Sequence, residues 1–176
     1  TNDRVSTMVT LVDGSEISFQ EYFVKHQHSV AVSNVRFAGA STASALGLDT
    51  LLSAQTVVIA PSNPLVSIAP LRALHGVDAA LTKRRESVVA ISPIIAGAAL
   101  KGPADRLMTE LGHESSVVGV AKLYAPICGT LIIDTADAHL APKVEAEGMR
   151  CVIVDTVMST PEKSQHLART TLESSR

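Results

Sequence analysis

The chain has 176 residues, 46% of them hydrophobic but only 3% aromatic, with no Trp and a formal net charge of −2. A core of that size has to be aliphatic, which favours buried parallel strands under helices over a β-sandwich. Lys and Arg are scattered, so there is no electrostatic footprint for nucleic acid. The apolar runs stop well short of the ~20 residues that cross a bilayer, and Thr1-Asn2-Asp3-Arg4 has no signal-peptide layout, so no membrane partner and a cytoplasmic location are expected.

Residues 6–19 read as two short strands around Asp13-Gly14, because Asp-Gly tolerates the positive φ of a tight hairpin. A strand-like run follows at Val32–Phe37, then a small-residue connector at Ser41–Ala45, and a helix begins near Gly47. From Thr56 the pattern becomes regular. Strands are expected at Thr56–Ala60, Val88–Ile91, Leu131–Ile133 and Cys151–Val154, and helices at Leu65–Leu74, Pro103–Leu111, Ala136–Glu147 and Pro161–Leu172. Short continuous apolar strands alternating with amphipathic helices imply an α/β, Rossmann-like three-layer parallel sheet, with the hairpin region at its N-terminal side. Residues 1–54 then form a hairpin and connector, and residues 55–176 the Rossmann-like part. Ala104, Leu107, Met108 and Leu111 make one helical core face, and Gly112 is the stop. Cys128 and Cys151 lack disulfide or metal spacing and read as buried thiols, and the six His read as surface residues.

In an open parallel sheet, ligands bind beyond the carboxyl ends of the strands. Two loops there carry the candidate chemistry. In Pro61-Ser62-Asn63-Pro64, followed by Ser67, Ser62 or Asn63 can cap a helix whose first turn contains Pro64. The same helix start would suit a phosphate, although capping alone accounts for the pattern. In Ser92-Pro93-Ile94-Ile95-Ala96-Gly97-Ala98-Ala99-Leu100-Lys101, an apolar loop between strand and helix would make a wall for a flat ring system. Lys101 and Asp105 stand at the next helix start, where on spacing alone they read as an exposed lysine and a first-turn acid that suits the helix dipole, ahead of a purine or phosphate contact. There is no Gly-rich phosphate loop and no nucleophile elbow.

Asn2-Asp3-Arg4-Val5, Phe19-Gln20-Glu21-Tyr22, Pro61-Ser62-Asn63-Pro64-Leu65-Val66-Ser67-Ile68, Ser92-Pro93-Ile94-Ile95 and Lys101-Gly102-Pro103-Ala104-Asp105 occur in order with sensible spacing. Together they make the chain resemble the 2-phospho-L-lactate transferase family of coenzyme F-420 biosynthesis, from Thr1 to about Leu172. The resemblance implies transfer of a phospholactyl or phosphoenolpyruvyl group from a guanylylated donor to the deazaflavin Fo. GMP would be released, Mg²⁺ would assist, and the protein would be a homodimer. It implies phosphate or ribose contacts for Ser62, Asn63 and Ser67, and a pocket wall from Ser92 with the Ile94-Ile95 backbone. Lys101 and Asp105 would meet the guanine edge, while Asp3 and Arg4 would approach the transferring phosphate, Asp3 touching the metal. Asn2 departs from the family, which commonly has Asp there. Family members are longer at the N-terminus, with a glycine loop and most metal ligands in that part. The chain is therefore expected to be an incomplete and inactive piece of a larger domain. The alternative is a non-catalytic nucleotide-binding or dimerisation fragment. A related group that carries Gly-Pro-Gly-Ser in place of Pro61–Pro64 is argued against by those residues.

Overall fold

The computed structural model describes residues 1–100 and 102–175; Lys101 therefore lies outside the described residues. The hairpin forms as expected, with β1 (Ser6–Leu11) antiparallel to β2 (Glu16–Ser18). Gly14 takes φ +87° at the turn, where the Ser15 amide and hydroxyl both donate to Asp13 Oδ1 (2.9 and 2.6 Å). β3 (Val32–Ala38) pairs with the other side of β1 and completes a small antiparallel sheet in the order β2-β1-β3. Between β2 and β3, residues Glu21–Lys25 make one wide turn closed by His26 N donating to Glu21 O. The connector leads to α1 (Leu48–Ser53), whose N-cap is Gly47.

The main sheet is parallel throughout. Its strands β4 (Val57–Ile59), β5 (Val88–Ile91), β8 (Thr130–Ile133) and β9 (Arg150–Ile153) lie in the order β4-β5-β8-β9. Strand alternation divides its side chains between two faces. Val88, Ala90, Leu131 and Ile133 enter the large core shared with α3 (Val77–Lys83), α4 (Ala104–Glu110), α5 (Val117–Tyr124) and α6 (Ala141–Ala146). Val89, Ile91 and Ile132 face the opposite way and pack under Leu167 of α7 (Pro161–Glu173). Helices thus cover both faces, giving the three layers expected. The two sheets are joined by a shared cluster in which Val9, Leu11 and Val32 of the small sheet and Tyr22 of its wide turn meet Leu107 of α4.

Several segments depart from the expected regular helices. The stretch after β4 is a wide turn at Pro64–Ile68 that runs into α2 (Ala69–Arg72), and the stretch after β8 is a 3₁₀ turn at Thr135–Leu140 that runs into α6. The apolar loop after β5 contains a two-residue hairpin, β6 (Ile94–Ile95) against β7 (Ala98–Ala99), turned at Ala96-Gly97. α3 and α5 were not expected. In α5, Val117, Val118, Gly119, Val120, Ala121 and Tyr124 are all buried, so no polar face marks the 3.6-residue period, and valine and glycine are poor helix formers. The legible signal was Ser116, whose hydroxyl accepts from Val118 N and Gly119 N, both at 3.1 Å. No described helix is long and apolar enough to cross a membrane.

β4 is an edge strand. It pairs only with β5 among the described residues, and its Val58 is 43% exposed.

Candidate active site

At the carboxyl ends of β4, β5 and β9 lies a cleft of about 630 Å³. One wall comes from the loop after β4 (Pro61, Ser62, Asn63, Val66, Ser67). A second comes from the segment after β5 and the α4 start (Ser92, Pro93, Ile95, Ala99, Leu100, Gly102, Pro103, Ala104), and a third from the segment after β9, Thr156–Ser159. Phe19 and Phe23, carried by the small sheet and its wide turn, complete the rim. The three loops meet here because all parallel strands end on the same side of the sheet, which is where such folds take ligands.

Asn63 is the cap foreseen for the Pro64 turn. Its Oδ1 accepts from Leu65 N (2.9 Å) and Val66 N (3.3 Å), while Ser67 N and Ile68 N donate to Asn63 O. With Pro64 lacking an N–H, the first-turn amides are all engaged, so an anion here would meet side chains rather than free amides. The Ser62 and Ser67 hydroxyls have no hydrogen-bond partner among the described residues and are the free donors of this wall.

The second wall is internally hydrogen-bonded. Ser92 is buried, donates through Oγ to Ile94 O (3.0 Å) and accepts from Ile94 N (3.2 Å), so its hydroxyl shapes the hairpin. The Ile94 side chain is fully buried in the large core, while Ile95 faces the cleft. Ala96 adopts φ +50° and Gly97 φ +80°. The left-handed region costs a residue with a Cβ about 1–2 kcal/mol. Asp137, 2% exposed in the 3₁₀ turn after β8, accepts from Ala96 N at 2.9 Å. A hydrogen bond to a charged group contributes about 1.5–3 kcal/mol, enough to offset that strain.

The third wall was not foreseen from sequence. Asp134, 6% exposed at the end of β8, accepts through Oδ2 from both Thr156 N (2.8 Å) and Thr156 Oγ1 (2.9 Å), and through Oδ1 from Ala136 N (2.9 Å). Burial is the largest influence on its carboxyl and pushes its pKa up. The donors from Ala136, Thr156 and Thr135 together outweigh it and hold the pKa below the usual aspartate value. Asp155 beside it pairs with Lys163 at 2.7 Å, and that lysine holds the Asp155 pKa down as well.

The aromatic rim is a stack. Phe19 and Phe23 have ring centroids 5.8 Å apart at 30°, and Phe23 lies 5.7 Å from His28. Two of the three phenylalanines in the chain therefore border one cleft.

The remaining predicted residues stand apart. Asp105 lies in the first turn of α4, one residue past the cleft lining, and accepts from Arg106 N (2.8 Å). Asp3 is exposed at the connector, where the Ser44 amide donates to it (2.7 Å) and, with the Thr1 hydroxyl, holds its pKa below the usual value. Arg4 is exposed and makes no ion pair among the described residues; its carbonyl lies against Gly39, where a Cβ would approach it to 2.5 Å. Neither Asp3 nor Arg4 lines the cleft. Among the described residues no group of three His, Cys, Asp or Glu could hold a metal ion, and the carboxylates near the cleft are already engaged. The residues present do not by themselves fit a Mg²⁺ site. Cys128 is buried and Cys151 half-buried; both are free thiols, which desolvation pushes up to about 11.

A four-stranded parallel sheet covered by helices on both faces, with its cleft across the carboxyl ends of the strands, defines a Rossmann-like α/β protein. The chain belongs to the 2-phospho-L-lactate transferase CofD family, whose model matches residues 1–172. It is 36% identical over 177 residues to the phosphoenolpyruvate transferase of Kitasatospora aureofaciens, covering 97% of this chain and 55% of that protein. It is 32% identical to the 2-phospho-L-lactate transferase of Methanocaldococcus jannaschii, covering 98% and 56%. The chain thus spans a little over half the length of these relatives. A crystal structure of a UPF0052 family protein from Bacillus halodurans shares the fold, with a TM-score of 0.60 at 14% identity over 98% of this chain and 60% of that one.

Proposed function

We propose that this chain carries the acceptor and nucleotide cleft of a transferase that moves a phospholactyl or phosphoenolpyruvyl group from a guanylylated donor to the hydroxyl of the deazaflavin Fo. In that reaction the acceptor oxygen bonds to the transferring phosphorus, the anhydride P–O bond breaks, GMP departs with the electron pair, and the hydroxyl proton passes to a base or to water. The observation that carries the reading is convergence. Segments far apart in sequence, within Pro61–Ser67, in the stretch after β5 with the start of α4, and in Thr156–Ser159, line one cleft together with an aromatic rim. Displacement at phosphorus needs positioning and charge neutralisation more than a strong nucleophile.

In this reading the Ser62 and Ser67 hydroxyls and the Asn63 carboxamide donate to phosphate or ribose oxygens. Phe19, Phe23, Ile95 and Leu100 enclose the flat deazaflavin ring, and the Ser92–Ile95 turn keeps that wall in place. Asp105, with Lys101, is assigned to the guanine edge, a carboxylate accepting from N1 and N2 hydrogens. The family resemblance assigns Arg4 to the transferring phosphate by bidentate pairing, beside Asp3; neither lines this cleft, and the cleft reading does not depend on them. The resemblance implies Mg²⁺ assistance with Asp3 touching the metal, but the described residues do not fit such a site and Asp3 lies outside the cleft. A homodimer working in the cytoplasm belongs to the same proposal and rests on the family resemblance.

Because no metal cluster is present among the described residues and no glycine-rich phosphate loop occurs in the sequence, we further propose that this polypeptide alone binds without turning over. Calorimetric titration with GDP and with Fo, followed by a transfer assay with donor and Fo, tests both statements. Binding of Fo without product formation is the expected result. Turnover by this chain alone would overturn the second proposal, and a protein of the relatives' full length that binds neither ligand would overturn the first.

A further inference from the structure

We propose that Asp134 and Asp137 are paired positioning residues that together fix the separation of two cleft walls, each tying one wall to the single turn after β8. The ring-binding part of the test rests on the functional reading above; the brace itself rests on geometry.

The two aspartates stand three residues apart at the start of the 3₁₀ turn Thr135–Leu140, Asp134 as its N-cap and Asp137 one turn on. In an ordinary capping box the acid three residues after the cap folds back on the cap's own amide. Asp137 instead spends Oδ2 on Ala96 N, 41 residues away (2.9 Å). Asp134 divides its oxygens. Oδ1 caps its own turn through Ala136 N, while Oδ2 takes both donors of Thr156, 22 residues away. One turn therefore reaches the β6–β7 hairpin with one buried carboxylate and the segment after β9 with the other. Those two segments supply Ile95 and Ala99 on one side of the cleft and Val157 and Met158 on the other.

The hairpin needs an external hold. Its turn has positive φ at both central residues, the geometry for which Asn-Gly is preferred because Asn tolerates the left-handed region. Ala96 has no side chain that can help, and the Asp137 carboxylate supplies what the turn itself lacks. Asp137 thus acts on the bound ring only through Ala96, and Asp134 only through Thr156.

The test uses the full chain with Asp137→Ala, Asp134→Ala, Ala96→Gly and the pairwise combinations, read by amide exchange of segments 94–99 and 155–159 and by Fo fluorescence titration. Losing one charge-assisted hydrogen bond is expected to speed exchange of 94–99 about tenfold in Asp137→Ala, with 155–159 unchanged, and to weaken Fo binding about tenfold. Asp134→Ala should show the reverse exchange pattern. Ala96→Gly removes the strain that Asp137 offsets, so it should restore most Fo affinity in Asp137→Ala and none in Asp134→Ala, a selectivity that general loosening would not show. Uniformly faster exchange in both segments, or unchanged exchange in Asp137→Ala, overturns the brace. If the Ala variants fail to fold, Asp137→Asn serves: it keeps the acceptor without the charge and should give intermediate exchange confined to 94–99, and wild-type exchange there would overturn the proposal. A wild-type chain that takes up no Fo overturns the proposal that this polypeptide binds it alone, and the exchange pattern then decides the brace.

Discussion

Gly119 has no room for a side chain: a Cβ there would lie 1.8 Å from Glu114 O and 3.0 Å from Met108 Cε. The backbone oxygen cannot yield, because Ser116 N donates to it to set the cap of α5. Gly119→Ala is expected to cost about 3 kcal/mol or more, read as a lowered unfolding midpoint or as failure to accumulate folded protein. Asp134 gives a pH prediction. Its folded pKa lies below its unfolded value, so its contribution to stability is complete above the unfolded value, about 4, and is lost as pH falls through the folded one. Asp155, itself paired with Lys163, lies close to it, and Thr156 keeps both donors at any pH. Thermal melts between pH 5 and 2 should therefore show a shallower acid loss in Asp134→Asn than in the wild type. An equal slope would remove Asp134 from the acid-sensitive set. At this scale Asn63 was legible, because a cap acts on amides two and three residues away. Asp137 was not, since its partner is 41 residues distant and a lone Asp in a helical stretch looks like any surface acid.

The elements that carry the aromatic rim are held to the sheet core by α4. Arg106 donates to the carbonyls of His28 and Ser29 and pairs with Glu110, whose other oxygen accepts from Val32 N (2.9 Å). Arg106→Ala should loosen β3 and the wide turn before it at a cost of about 1–2 kcal/mol, the full value for charged donors being reduced by partial exposure. Faster amide exchange at Val32, with β5 and β8 unaffected, is the expected signature. Phe23, 43% exposed, contributes little to the core, so Phe23→Ala should weaken Fo binding by about 1–3 kcal/mol, as removal of a stacking ring does, with an unchanged melting temperature. Equal Fo affinity would take the rim out of the site. Strands β5 and β8 were readable because burial on both faces leaves four apolar residues in a row. The β6–β7 hairpin was not, because two-residue strands have no period and an Ala-Gly turn carries a weak signal.

For the whole molecule, alternation of strand and helix was enough to assign the layers, since a parallel sheet admits few arrangements. The third wall of the cleft escaped because it follows an edge strand and its one polar anchor, Thr156, looks ordinary in sequence. The opposite edge has a consequence of its own. β4 offers a row of outward N–H and C=O groups, and its residues Val57, Val58 and Ile59 bring no charge or proline to deter another backbone. Such a border is a template: at rising concentration the polypeptide should recruit extended segments along it and grow in mass. Sedimentation velocity across a dilution series should show that growth, and Val58→Lys should abolish it while leaving the fold intact. The limit on handling this polypeptide would then be set by colloidal behaviour at one exposed strand, well before the stability of its core is tested.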